Sequence, residues 1–444
     1  MPSTPSAPSA PPAPPRTASV LALADDLSGA AEVAVALGRP GRILLKPSGV
    51  VRTSVTQASA CTVVDIDSRS LAPDEAAERV RHVLGRRAVP GTQGQHASSD
   101  QAPYGKFDQA QYEKYDHAPY EKHDQVLYKK IDSQLRGNLA AEAVAYVQDA
   151  DGLLIAPALP VGGRTVRGGV VHVGGIPLHE TAGWRAEGRP APTSVAAAMA
   201  GLGTTLVPLD VVREGHDALV AALAAVLVEG RHAIADAETD ADLDALARAA
   251  LAIGPRLRLL GSGGLAGALG RVLPGAEDIR DSTARNASSV LAVVGTAETT
   301  AAAQIAHLVG IGARHVSLSA AELLAGTAEL PTDWPEGTLT ALSITPAPAG
   351  RSAAPEVARA LAARVASVPG RPDLVLTGGE TARRVLDALG VTELRPAGEI
   401  HHGAVKSRTT DGRTVVTRPG SYGDEHSLLT IARALRPDGY RAVP

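Results

Sequence analysis

The sequence predicts an α/β protein of two domains, each a mostly parallel sheet flanked by helices. Short apolar runs alternate with Ala-rich stretches of helical period through most of the chain, which is the pattern of βαβ units. That alternation fades over 274–288 (PGAEDIRDSTARNAS) and then restarts. At 444 residues the chain is also long enough for two or three cores.

The elements follow in order. SVLALA (19–24) reads as a buried strand ending at Asp25 and Asp26, with a helix through SGAAEVAVALG. ASACTVVDIDSRS gives a second strand ending at Asp67, Ser68 and Arg69, and DEAAERVRHVLG a second helix. LYKKI leads into DSQLRGN and the helix LAAEAVAYV. DGLLIAPALP is a strand closed by prolines, and the glycine-dense GGRTVRGGVVHVGGIPLHET is an irregular excursion with short strands. Alternation resumes over 204–253, and RLRLLGSGGLAGALGRVL reads as strand, glycine turn, helix. After the break come SVLAVVGTAETTAAAQIAHLVG, PDLVLTGGETARRVLDALG and VVTRPGSYGDEHSLLTIARAL. The domains are therefore placed at 18–273 and 289–437, with a hinge at 274–288 and a disordered Pro/Ala/Ser-rich tail at 1–17.

Composition narrows the partners. Net charge is −4, so no overall field recruits nucleic acid or anionic membrane. The single cysteine, Cys61, excludes an internal disulfide framework and fits a reducing compartment. The opening residues lack the apolar core of a signal peptide, and no apolar run reaches membrane-spanning length, so the expected location is the cytoplasm. Aromatic residues are 2% of the chain, which makes the predicted cores aliphatic.

One segment stands apart. Residues 100–131 hold four near-copies of an octad that opens on Asp and carries Tyr at its fifth place, and they hold five of the chain's seven lysines. A period of eight is too short for the repeats that build whole folds. The last copy, DQVLYKKI, runs directly into Asp132 and is read as the native strand. The earlier copies lie in an inserted surface loop, 91–123, separate from the chemistry.

Ligands of open α/β sheets sit at the carboxyl ends of the strands. In the first half those ends carry Asp25, Asp26, Asp67, Ser68, Arg69, Lys129, Lys130, Asp132, Ser133, Arg136, Asn138 and Arg164. Some of these serve as helix caps. As a set, cations with Asp and Asn suit a small polyhydroxylated acid, the cations for its carboxylate and the Asp side chains for its hydroxyls. The second half presents glycines and hydroxyls instead: Gly295 and Thr296, then Gly378, Gly379, Glu380 and Thr381, and last Gly420 before the final helix. Glycine turns that open helices cradle phosphate. A Walker A pattern and a G-x-S-x-G elbow are both absent. GSGGLAG (261–267) has the wrong glycine spacing for a dinucleotide turn, which leaves a nicotinamide-dependent dehydrogenase as the lesser alternative. His172, His179, His401 and His402 lack metal-ligand spacing, and no metal-ligand set is assigned.

In order, ADDLSGA (24–30), DIDSR (65–69), KKIDSQLRGN (129–138), APALPVGGRT (156–165) and GGIPLHET (174–181) are followed by GSGGLA (261–266), TGGETA (377–382), GEIHHG (398–403) and RPGSYGD (418–424). This series, spanning about 18–437, resembles the four-carbon acid sugar kinase family, and KKIDSQLRGN is its most specific motif. The resemblance implies an N-terminal acid-sugar-binding domain and a C-terminal nucleotide-binding domain that uses ATP with Mg²⁺. It implies that Asp25, Asp26, Arg69, Lys130, Asp132 and Arg136 hold the acid sugar. Phosphoryl transfer also needs a base for the attacking hydroxyl, and Asp26 first and Asp132 second are the expected residues. Thr296, Gly378 to Thr381, Gly403 and Gly420 would hold ATP. The chain departs from the family at Ser28, Gln134, Glu298, Ala301 and Arg418, where Thr, Thr, Ser, Thr and Lys are usual. Glu298 and Ala301 keep open an acid-sugar sensor that does not phosphorylate. A homodimer also stays open.

Overall fold

The computed structural model describes residues 19–46, 61–85, 125–181, 184, 187–274, 289–295, 300–345, 354–420 and 422–441. The readings for the tail at 1–17, the inserted loop and first three octads at 91–123, 275–288 of the hinge, Thr296 and Glu298 lie outside these residues.

The strands are β1 (Ser19–Ala24), β2 (Gly41–Leu44), β3 (Cys61–Asp65), β4 (Gln125–Lys130), β5 (Gly152–Ala156), β6 (Arg164–Arg167), β7 (Val170–Val173), β8 (Ile176–Pro177) and β9 (Thr204–Val207). They continue as β10 (His232–Ala235), β11 (Leu257–Gly261), β12 (Val290–Val294), β13 (Arg314–Ser319), β14 (Leu339–Thr345), β15 (Asp373–Thr377), β16 (Glu393–His401), β17 (Ala404–Thr409) and β18 (Thr414–Arg418). The N-terminal half is a parallel sheet ordered β2-β3-β1-β4-β11-β5-β10-β9. The C-terminal half runs β13-β14-β12-β15-β18 in parallel and ends on the antiparallel strands β17 and β16.

The two sheets are continuous. β16 pairs antiparallel with β2, Glu393 opposite Leu44 and Leu394 opposite Ile43, which joins the halves into one 15-stranded sheet. The sequence reading gave neither β2 nor the β16–β17 hairpin. GRIL and ELRPAGEIH carry Gly, Pro and charges, so neither shows the apolar run of a buried strand. The glycine-dense excursion forms a separate antiparallel sheet, β6-β7-β8.

Residues of β12 alternate between the two faces of its sheet. Leu291 and Val293 join the large core shared with the N-terminal half, while Val290, Ala292 and Val294 pack under the helices Thr300–Gly310 and Ser427–Leu435. Period-two alternation thus places one strand between two cores. In each half the strand order runs outward from a central strand, β1 in the first and β12 in the second. The carboxyl ends beside those strands are the switch points where ligands bind in open sheets. Asp25 and Asp132 follow β1 and β4, and Gly295 and Gly378 follow β12 and β15. Among the described residues no helix is long and apolar enough to cross a membrane.

Candidate active site

β1 delivers two adjacent carboxylates with different surroundings. Asp26 caps the helix Leu27–Ala36, its Oδ1 accepting from the Gly29 N–H at 2.8 Å. Its Oδ2 faces Arg69 Nη1 at 2.8 Å. Asp25 is buried, and Arg69 grips it with two bonds, Nε to Oδ2 at 2.7 Å and Nη2 to Oδ1 at 3.1 Å. Arg69 is fixed from its own backbone too, since its N–H and that of Ser68 donate to the Asp25 carbonyl. One guanidinium therefore holds both carboxylates, with Asp132 a further 3.9 Å away. Burial pushes both Asp carboxyls up. At Asp25, Arg69 and Lys129 reverse this and leave it below the usual range. At Asp26, burial and the Asp25 charge outweigh Arg69, and its pKa stays raised.

β4 supplies the next group. Lys130 reaches Glu32 at 3.2 Å, and Lys129 forms a fully buried pair with Glu142 at 2.8 Å. Burial works against the Lys130 charge, but Glu32, Asp25 and Asp26 more than offset it and hold its pKa up. Asp132 takes both arms of the Arg136 fork at 2.8 Å and accepts the Gln134 and Arg136 N–H groups. Burial raises its pKa, yet the Arg136 bonds and charge overcome that and hold it far below the usual carboxylate range. Asn138 uses its amide to bind the Ser68 and Leu71 carbonyls, so it fixes the loop carrying Arg69.

Arg164, at the start of β6, differs from the other rim cations. It is buried, with Nη1 donating to Ser133 Oγ at 2.7 Å and to Tyr422 Oη at 2.8 Å. Among the described residues it has no carboxylate partner, and its buried Nε has no hydrogen-bond partner. Tyr422 comes from the C-terminal half, so this contact crosses between the halves.

The glycine turns meet this rim directly. Gly378 sits at φ +94°, a conformation that disfavours any side chain, and donates its N–H to the Arg418 carbonyl at 2.8 Å. Gly379 then opens the helix Gly379–Ala388 without a side-chain cap. A Cβ on Gly379 would stand 2.9 Å from Asp26 Oδ2 and 3.0 Å from Ser28 Oγ. The uncapped helix start and the Asp26 carboxylate are thus in contact. Thr381 is buried against Gly295, Glu380 is exposed in the first turn, and the Tyr422 ring covers Gly403. Gly420 is half-buried after β18, next to the buried Arg418, whose pKa burial lowers to about 10.

Sequence reasoning missed Glu32, Glu142, Tyr422, Arg383 and Arg384. Glu32 and Glu142 were findable, because each is a lone carboxylate in an otherwise apolar helix. Among the described residues the one cluster of possible metal ligands is His307, Glu425 and His426, and none of the four histidines weighed from sequence belongs to it.

Comparison with known proteins agrees with this division. A family model described as a sugar-binding N-terminal domain matches residues 20–269, and one described as a nucleotide-binding C-terminal domain matches 291–428. A D-threonate kinase of Cupriavidus necator is 32% identical over 94% of this chain and 98% of its own. The chain belongs to the four-carbon acid sugar kinase family. Two other members of this family are similar over different spans. A Bordetella bronchiseptica D-threonate kinase is 32% identical over 93% of this chain and 96% of its own. A Heliobacterium modesticaldum D-erythronate kinase is 29% identical over 52% of this chain and 48% of its own. The family fold recurs in a solved Salmonella typhimurium protein at TM-score 0.68 and 22% identity, covering 94% of this chain and 99% of that one. A Haemophilus influenzae structure gives 0.62 and 20%, covering 93% and 98%.

Proposed function

We propose that the protein transfers the γ-phosphoryl group of Mg²⁺-ATP to a hydroxyl of a four-carbon acid sugar of the threonate or erythronate type. Residues 18–273 would bind the acid sugar and 289–437 the nucleotide. The observation that carries this reading is the contact between the uncapped helix start at Gly379 and the Asp26 carboxylate. A phosphate held on the uncapped amides that open the helix at Gly379, and on its dipole, lies beside a base, which is the juxtaposition phosphoryl transfer needs.

The residues divide the work by their partners. Asp26 takes the hydroxyl proton, because its raised pKa leaves it more basic than either neighbouring aspartate. Asp132, clamped by Arg136, is too weak a base and acts by fixing that arginine. Arg164 anchors the substrate carboxylate, since Arg69, Lys130 and Arg136 are already engaged by protein carboxylates. Lys130 and Arg69 offset negative charge as it develops near Asp26. Glu380, exposed beside the turn, is a carboxylate of the kind Mg²⁺ takes alongside phosphate oxygens. When bound, that ion would neutralise phosphate charge.

A panel of four-carbon acid sugars, assayed for ADP release, tests the activity. Arg164→Ala should raise KM for the acid sugar by on the order of tenfold or more with little change in KM for ATP. Thermal stabilisation by an acid sugar without ADP release would instead leave a sensor, and no response to any acid sugar would sink both.

A further inference from the structure

The helix Gly379–Ala388 begins at the phosphate turn and carries two arginines on its second turn that leave their own domain. Arg384 makes a two-armed bond to Asp67, Nη1 to Oδ2 at 2.9 Å and Nη2 to Oδ1 at 3.1 Å. Arg383 is buried and reaches Asp65 Oδ2 at 2.8 Å and the Leu45 carbonyl at 2.6 Å. From the same helix Asp387 pairs with Lys46 at 3.2 Å. Every one of these partners lies in the N-terminal half, and two belong to Asp65-Ile66-Asp67-Ser68-Arg69, the segment that ends in the guanidinium gripping Asp25 and Asp26. Asp67 itself sits at φ +48°, a region uncommon outside glycine that Asp tolerates better than most, with its N–H donating to Asp65 Oδ1 at 3.0 Å.

The connectivity forms a closed loop of contacts. The helix start touches Asp26, Asp26 touches Arg69, Arg69 follows Asp67 by two residues, and Asp67 is held by Arg384 on the same helix. A shift of the helix on phosphate binding therefore moves Arg69 and Asp26 together. A cavity of about 280 Å³ opens beside Asp65 and Arg383.

We propose that Arg384, through its two-armed bond to Asp67, is a positioning residue that couples nucleotide binding at the glycine turn to acid-sugar binding at the Arg69 rim. Arg383 and Asp65 form the buried second strut of the same device. The proposal rests on the kinase reading above, and it adds that the two substrates bind with positive, reciprocal cooperativity.

Calorimetric titration of the full chain with threonate and erythronate, with and without a non-hydrolysable ATP analogue, measures that coupling. In the unsubstituted protein the analogue should tighten acid-sugar binding by about fivefold or more. In Arg384→Ala the factor should fall toward one, while affinity for the acid sugar alone stays within about twofold. Asp67→Asn should give the same loss, and the double variant should add little to either. Arg384→Lys, which keeps the charge and loses the two-armed geometry, should fall between. It also serves as the test protein if Arg384→Ala does not fold. An unchanged factor in Arg384→Ala, or in Arg384→Lys where that is the protein tested, overturns the coupling and leaves the kinase reading standing. So does a factor of one in a protein that binds both ligands. A chain that binds neither ligand overturns the kinase reading and the coupling with it.

Discussion

At the scale of single residues, three aspartates lie within reach of one arginine yet are unequal as bases. Burial drives all three carboxyls up, and the outcome depends on how many cations each one faces. Asp132 has the Arg136 fork, Asp25 has two arms of Arg69 with Lys129 nearby, and Asp26 keeps a single arm. Asp26→Asn is expected to lower turnover by about 10²- to 10⁴-fold with nucleotide affinity nearly unchanged, as steady-state kinetics and analogue titration would show. The pH dependence follows from the same balance. Burial and Asp25 raise the Asp26 pKa while Arg69, Lys130 and the Gly29 N–H lower it, so removing Arg69 takes away the largest lowering cause. Arg69→Gln should move the acid limb of the kcat/KM profile to higher pH, on top of an overall loss of rate. An acid limb at unchanged pH would take Asp26 out of the base role.

Elements set how close these residues come. The helix Gly379–Ala388 reaches Asp26 only because its first residue has no side chain. Gly379→Ala inserts a methyl 2.9 Å from Asp26 Oδ2 and should cut kcat by on the order of 10- to 100-fold, with thermal stability nearly kept. Behind the rim, β4 and the helix Leu139–Val147 are tied by Lys129 and Glu142, each almost fully buried. Burial raises the Glu142 pKa and Lys129 counteracts it. Lys129→Met leaves that carboxylate without its ion partner and is expected to cost about 3–5 kcal/mol, read as a lower urea midpoint. The sequence marks such pairs only by a lone Glu in an apolar helix.

Across the whole molecule, the halves are bound by the β16–β2 pairing and by the arginines that reach Asp65 and Asp67. Asp65 is buried and faces Arg383 and Asp67; burial, offset only in part by Arg383, pushes it up to about 7. Between roughly pH 4 and 7 the folded chain keeps a proton there that the unfolded chain releases. This group therefore makes stability rise as pH falls from 7 toward 4, and contributes no further change below that. Asp65→Asn should remove that rise, so urea unfolding at pH 7.5 and 5 should show a smaller difference than in the unsubstituted protein.

The strand ends were legible in the sequence because alternation and turn residues fix them locally. Asp25, Asp26, Asp132, Gly378 and Gly379 stand at the ends of β1, β4 and β15, where those patterns put them. The joining of the sheets was not legible, because the β2–β16 pairing links segments some 350 residues apart. Nor was the ranking of the three aspartates, or the freedom of Arg164, legible in the residues alone. Both depend on which side chains meet across the chain, and Arg383 finds Asp65 at a separation of 318 residues. Local pattern named the chemical groups; burial and long-range pairing assigned each its charge and its partner.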